Sequence, residues 1–134
     1  MWQRQYEGGT QYFQIPEDAR VLIVENSLHR LMRFREMFPF AKFAMTATDA
    51  IEILKHDNTL QWVFLDRDLA NFTYGESVAE FCVSLGYKGR VVCHSANDFG
   101  AKLIKKILED AAIPVQVCPF EMVAIVRVPC ESAR

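Results

Sequence analysis

Trp62-Val63-Phe64-Leu65-Asp66-Arg67-Asp68 sets four consecutive apolar or aromatic residues against an abrupt acidic edge. A run without polar alternation suits a strand covered on both faces, as in a parallel sheet flanked by helices. The same pattern recurs on either side of it. Val21-Leu22-Ile23-Val24 runs into Glu25-Asn26, Arg90 to Cys93 into His94-Ser95-Ala96-Asn97, and Val115 to Cys118 into Pro119-Phe120. A weaker strand is expected over Lys42 to Ala47. The intervening segments change to helical spacing. Ser27 is placed to cap a helix carrying Leu28, Leu31, Met32 and Arg35, with Pro39 closing it. Thr48 or Asp49 can cap a short helix from Ala50 to Lys55. Val78, Phe81, Cys82 and Leu85 share one helical face that stops at Gly86, and Asn97 or Asp98 can cap a helix burying Ile104, Ile107, Leu108 and Ala111. The expected fold is α/β: a flavodoxin-like or receiver-like, doubly wound sheet of five parallel strands in three layers, α/β/α.

At 134 residues with 51% hydrophobic and 24% charged side chains, the chain fits one domain with a true core and excludes disordered and low-complexity classes. Residues 1–19 read as an N-terminal extension and 20–134 as the receiver-like domain. Residues 121–127 carry both helix and strand signals through Val123, Ile125 and Val126, and topology favours a fifth helix there. A formal charge of -2 provides no field for double-stranded DNA or an anionic membrane. The four cysteines, Cys82, Cys93, Cys118 and Cys130, form no close metal or redox pair and read as reduced apolar residues. Without an apolar segment of membrane-span length or a signal peptide, the expected location is the cytoplasm.

In an open parallel sheet, function gathers at the carboxyl ends of the strands. Those ends deliver Glu25 and Asn26, Asp66 and Asp68, then His94, Ser95 and Asn97. Hard oxygen donors of this kind suit magnesium, so Asp66, Glu25 and Asp68 are the expected metal ligands. His94, with Asp66 and Asp68, is the expected catalytic group, and Ser95, Asn97 and Arg30 are the expected phosphate contacts. Each has a plainer reading. Asn97 can be a helix cap, a lone histidine is more often structural than catalytic, and Phe72 and Tyr74 are expected to pack locally as loop aromatics. Arg33 and Arg35 read as a solvated helix face.

These residues resemble a response-regulator receiver domain over about residues 20–127. Asp66 stands at the phosphoacceptor position, Glu25-Asn26 at the acidic pair, Ser95-Ala96 at the switch hydroxyl and its small neighbour, and Pro119-Phe120 at the Lys-Pro-Phe turn. Cys118 replaces the lysine. The chain is more similar to a divergent group, the cyclic-phosphate processing receiver family, through Leu65-Asp66-Arg67-Asp68-Leu69 and His94-Ser95-Ala96-Asn97. Arg67 stands where that family usually carries histidine. The resemblance implies a phosphoesterase acting on cyclic or terminal phosphates of nucleotides or RNA, with a phosphate-containing small molecule or an RNA end as its partner. The rival expectation is a non-catalytic pseudo-receiver that binds a protein, a nucleotide or a second copy of itself. An exposed apolar surface around Met122 and Val126 would favour that rival.

Overall fold

The structure, a computed structural model, describes residues 9–130. Its elements are β1 (Gln11–Pro16), β2 (Val21–Val24), α1 (Leu28–Met37), β3 (Lys42–Ala44), α2 (Ala47–His56), β4 (Trp62–Leu65), α3 (Gly75–Leu85), β5 (Arg90–Cys93), α4 (Asp98–Asp110), β6 (Val115–Val117) and β7 (Val123–Val128). β2 to β6 form a five-stranded parallel sheet in the order β3-β2-β4-β5-β6, as the continuous apolar runs require. No helix among the described residues is long and apolar enough to cross a membrane.

The pleat divides the core in two. Leu22, Val24, Val63, Leu65, Val91 and Cys93 face one side, where α2, α3 and α4 cover them through Leu54, Val78, Cys82, Ile104 and Leu108. Val21, Ile23, Phe64 and Val92 face the other and meet Leu31, Phe34 and Phe38 from α1 and its C-terminal end. Phe34 and Phe64 are fully buried. Burying a side chain of this kind stabilises the fold by about 1.5–3 kcal/mol.

The second face is completed by a different element from the one the sequence suggests. Instead of a helix over 121–127, a short 3-10 turn (Phe120–Met122) leads into β7, which pairs in parallel with β1 from the N-terminal extension. β-branched residues lose side-chain freedom in a helix and gain from cross-strand neighbours. Val123, Ile125, Val126 and Val128 therefore take strand geometry once Gln11–Pro16 offers an edge. The ribbon turns Phe13, Ile15 and Val123 into the core beside α1. Arg127 fixes it there, donating to the carbonyls of Met37 (3.0 Å), Pro16 (3.1 Å) and Glu17 (2.7 Å) and lying over the Phe38 ring. Met122 packs against the same core and Val126 is exposed at the ribbon surface, so they form no helical apolar face.

Other boundaries move little. Ser27 and Asn97 cap α1 and α4, and Gly86 ends α3 in the left-handed conformation. The cap of α2 is Thr46, whose hydroxyl accepts from Asp49 N at 3.0 Å, rather than Thr48 or Asp49. β3 stops correspondingly early, at Ala44.

At the amino ends of the strands lies a buried ion-pair network around Asp57. Its carboxylate accepts from Lys42 Nζ at 2.7 Å, from Arg20 Nη2 at 2.9 Å, and from the amide and hydroxyl of Thr59. The Lys42 ammonium, with Thr59 adding to it, holds Asp57 far below the usual carboxylate range.

Candidate active site

The register of the central strands assembles a row of polar groups at their carboxyl ends. Val24 pairs with Leu65, and Leu65 with Cys93. The ladder continues one residue past each strand: Glu25 N donates to Ala44 O, Asp66 N to Val24 O, His94 N to Leu65 O and Cys118 N to Cys93 O, at 2.9–3.1 Å. Glu25, Asp66, His94 and Cys118 thus stand side by side. Because side chains alternate across a strand, all four fall on the α1 face of the sheet.

Glu25 and His94 are both fully covered, and His94 Nε2 lies 2.8 Å from Glu25 Oε1. Phe34 and Phe120 border the imidazole edge-on, at ring separations of 5.0 and 6.4 Å. The other ring nitrogen, Nδ1, is buried and has no hydrogen-bond partner among the described residues. Glu25 is saturated. Oε2 accepts from the amides of Asn26 (3.0 Å) and Ser27 (2.9 Å), while Arg30 donates Nε to Oε1 (2.8 Å) and Nη2 to Oε2 (3.1 Å). Arg30 reaches back because it sits in the first turn of α1, where side chains point toward the helix N-terminus. Burial pushes the Glu25 carboxyl up, but the bonds from His94 and Arg30 outweigh it and hold the group at about 2.

Asp66 is also buried and differs in kind. It accepts its neighbour's amide, Arg67 N, at 2.8 Å, and Arg30 Nη2 approaches its other oxygen at 3.4 Å. Burial raises its pKa, and the nearby Glu25 charge adds to the rise against the opposing pull of His94. Arg30 is therefore shared between two buried carboxylates. Cys118, at the position of the receiver lysine, is a buried thiol that burial pushes up to about 11, so the local cation comes from α1 instead.

The row opens into a cavity of about 150 Å³ lined by Asn26, Arg30, Asp66, Asp68, His94, Ser95, Ala96, Asn97, Phe120 and Glu121. Of the seven residues singled out in the sequence, six line it: Arg30, Asp66, Asp68, His94, Ser95 and Asn97. Glu25 lies beneath, reaching the site through His94 and Arg30. Asn97 has two tasks, capping α4 by accepting from Gly100 N at 3.0 Å and donating to Asp68 Oδ2 at 3.4 Å. Ser95 Oγ accepts from Asn97 N at 3.0 Å and thereby shapes the loop.

Arg67, the departure from the family pattern, is not among the lining residues. It clamps the loop by bonding both oxygens of Glu76 at 3.0–3.1 Å and Asp68 at 3.0 Å, with its guanidinium 4.3 Å from the Tyr74 ring centre. Gly100 makes room for it, since a Cβ there would collide with the Arg67 stem. Phe72, expected to pack locally, is 93% exposed and holds a positive φ of 55°.

Donor atoms of Glu25, Asp66 and His94 all lie within 4.8 Å of one another, a grouping that can hold a metal ion. The donor chemistry fits a hard divalent cation, which takes one or two carboxylates and retains water. Asp66 and Asp68 stand on the cavity wall with one donor on each oxygen, whereas Glu25 lies below it with two donors on Oε1 and three on Oε2. What the sequence did not signal is the Arg30 bridge. Its only trace there was an arginine five residues after Glu25, one helical turn from the rim.

The sequence matches the cyclic-phosphate processing receiver domain over residues 19–110. No match is found among curated proteins. Among solved structures, the chain is similar to CheY in the CheX–CheY–BeF3–Mg complex of Borrelia burgdorferi, at 19% identity and a TM-score of 0.57 over 75% of this chain and 78% of that one. It is also similar to the response regulator domain of Thermotoga maritima CheB, at 21% identity and 0.56 over 74% and 77%. A third likeness is the Saccharomyces cerevisiae Ypd1–Ssk1 receiver complex, at 20% identity and 0.53 over 78% and 81%. Receiver neighbours thus include complexes with protein partners. At these identities the likeness is one of fold.

Proposed function

The chain belongs to the cyclic-phosphate processing receiver family, and on that premise we propose that it is a phosphoesterase opening cyclic phosphates, or removing terminal ones, on nucleotides or RNA ends. The observation that carries this reading is the Glu25–His94 pair, fully buried at 2.8 Å beneath a polar cavity that Arg30 and Asp66 also line. At about 150 Å³ the cavity is smaller than the roughly 300–1,000 Å³ of sites that enclose a whole drug-sized ligand, so it takes the phosphate group and leaves the nucleoside outside.

Glu25 is ionised across the working pH range and accepts the Nε2 proton of His94, fixing the tautomer that leaves Nδ1 as the base. Water attacks phosphorus, one P–O ester bond breaks, and His94 takes the proton from the water and returns one to the departing oxygen. Arg30 and the free amides at the start of α4 hold the equatorial oxygens as charge develops. A magnesium ion held by Asp66, with Glu25 or Asp68, would supply Lewis-acid polarisation of a phosphoryl oxygen. The buried, unpaired cysteines Cys82, Cys93 and Cys118 suit work in the reducing cytoplasm.

The test is a panel of cyclic nucleotides and RNA oligomers ending in 2′,3′-cyclic phosphate, assayed with and without magnesium on wild type and Asp66→Asn. Turnover in wild type that is lost in the variant supports the reading. Binding without turnover in either protein overturns it in favour of a non-catalytic binding module, and covalent modification of Asp66 by acetyl phosphate would return it to ordinary receiver chemistry.

A further inference from the structure

Arg30 forms the wall between two cavities. On one side is the 150 Å³ site, and on the other a cavity of about 310 Å³ lined by His29, Arg33, Met37 and Val123. Arg30, Phe120 and Glu121 belong to both. At present the guanidinium lies inward, with three contacts of 2.8–3.4 Å to Glu25 and Asp66. In that position it fills the place from which a cation would engage Glu25 and Asp66 together. Its side chain is 34% exposed, so it is not locked into the core. Glu121, an exposed carboxylate at the mouth of both cavities, offers a second anionic partner on the outer side, and Arg30 feels its charge.

We infer that Arg30 is an exchangeable resident cation: an incoming phosphate draws it off the Glu25–Asp66 pair, and the freed carboxylates then accept a divalent ion. This rests on the reading of the site as one that takes a phosphate. The consequence is a coupling between anion and cation. Without phosphate, a divalent ion must displace a guanidinium that holds Glu25 bidentately, while with phosphate present the guanidinium has another anion to pair with. Linkage makes the effect reciprocal, so each ligand strengthens the other by the same factor. The arrangement partly offsets the charge of two buried carboxylates before a ligand arrives and delays metal capture until an ester is present.

The experiment measures Mn²⁺ affinity by electron paramagnetic resonance on the full chain, at controlled free Mn²⁺, with and without inorganic phosphate. Wild type is expected to bind Mn²⁺ weakly alone and about tenfold more tightly with saturating phosphate, within the usual range of site coupling. Arg30→Gln should bind Mn²⁺ at least as tightly without phosphate as wild type does with it, and phosphate should add nothing. Glu121→Gln alters only an exposed side chain and keeps the test valid should the Arg30 variant not fold: losing the outward partner should shrink the coupling several-fold. Equal Mn²⁺ affinity in wild type with and without phosphate overturns the inference, as does an Arg30→Gln protein that folds and gains no affinity. If cyclic phosphates are hydrolysed but the coupling is absent, this inference fails and the proposed function stands. If the coupling is present but no ester is turned over, the reverse holds.

Discussion

The sheet carries a buried carboxylate cluster at each end, and the two are built on opposite charge ratios. At the amino pole one acid, Asp57, has two cations, Lys42 and Arg20, and two further donors from Thr59. At the carboxyl pole two buried acids, Glu25 and Asp66, share a single arginine and a histidine. An acid whose charge is more than matched by cations has little left to offer another cation. A surplus of carboxylate over cation costs stability unless something positive arrives, and that deficit is what makes the carboxyl pole the candidate site. The pKa directions follow: Asp57 is held far down, while Asp66 is held up although Glu25 beside it is held at about 2.

The two poles differ most at His94. Replacing it with Ala should lower turnover of a cyclic phosphate by roughly 10²- to 10⁴-fold, and unchanged turnover would remove the imidazole from the chemistry. Asp57→Asn is the matching change at the other pole. It should cost about 2 kcal/mol, less than a fully buried pair because Lys42 and Arg20 are about half exposed, and leave catalysis unaltered. Urea unfolding measures the loss, and an equal loss of activity would tie the two poles together.

Asp66→Asn should do the opposite of Asp57→Asn, abolishing activity while stabilising the protein by about 1 kcal/mol, because it removes a buried charge set beside Glu25. A destabilised variant would mean that Arg30 balances both acids. The smallest effect is on pH. A carboxyl raised in the folded state keeps its proton after the unfolded chain has lost it, so the wild-type deficit relative to Asp66→Asn develops as pH rises above the ordinary value of 3.8. The advantage of the variant should therefore shrink on acidification toward that value. Glu25 acts with the other sign: its stabilisation is complete above 4.5 and lost as pH falls through about 2.

Much of the candidate site was legible because its logic is local. Residues that follow neighbouring parallel strands must share a rim, so the sequence alone places Asp66, His94, Ser95 and Asn97 together. Glu25 was placed on that rim with them, yet it is the floor beneath it. Its side chain shares the α1 face with those of Asp66 and His94, and there the His94 ring and the Arg30 guanidinium close over it. Arg67 reads as a departure from a family hallmark and proves to be a loop clamp on Glu76, a pairing of residues nine apart that becomes visible only when α3 is in place.

The apolar runs, their acidic edges and the helix caps determined the sheet, its parallel direction and the order of polar groups along it, since each is written in neighbouring residues. Whether 121–127 became helix or strand could not be decided that way. A helix satisfies its backbone within itself, but a strand needs an edge supplied from elsewhere, here from Gln11–Pro16 at the far end of the chain. The charge balance of the site belongs to the same class of fact. An arginine on α1 between two carboxylates from different strands is a product of packing, and packing alone set how many cations each buried acid would have.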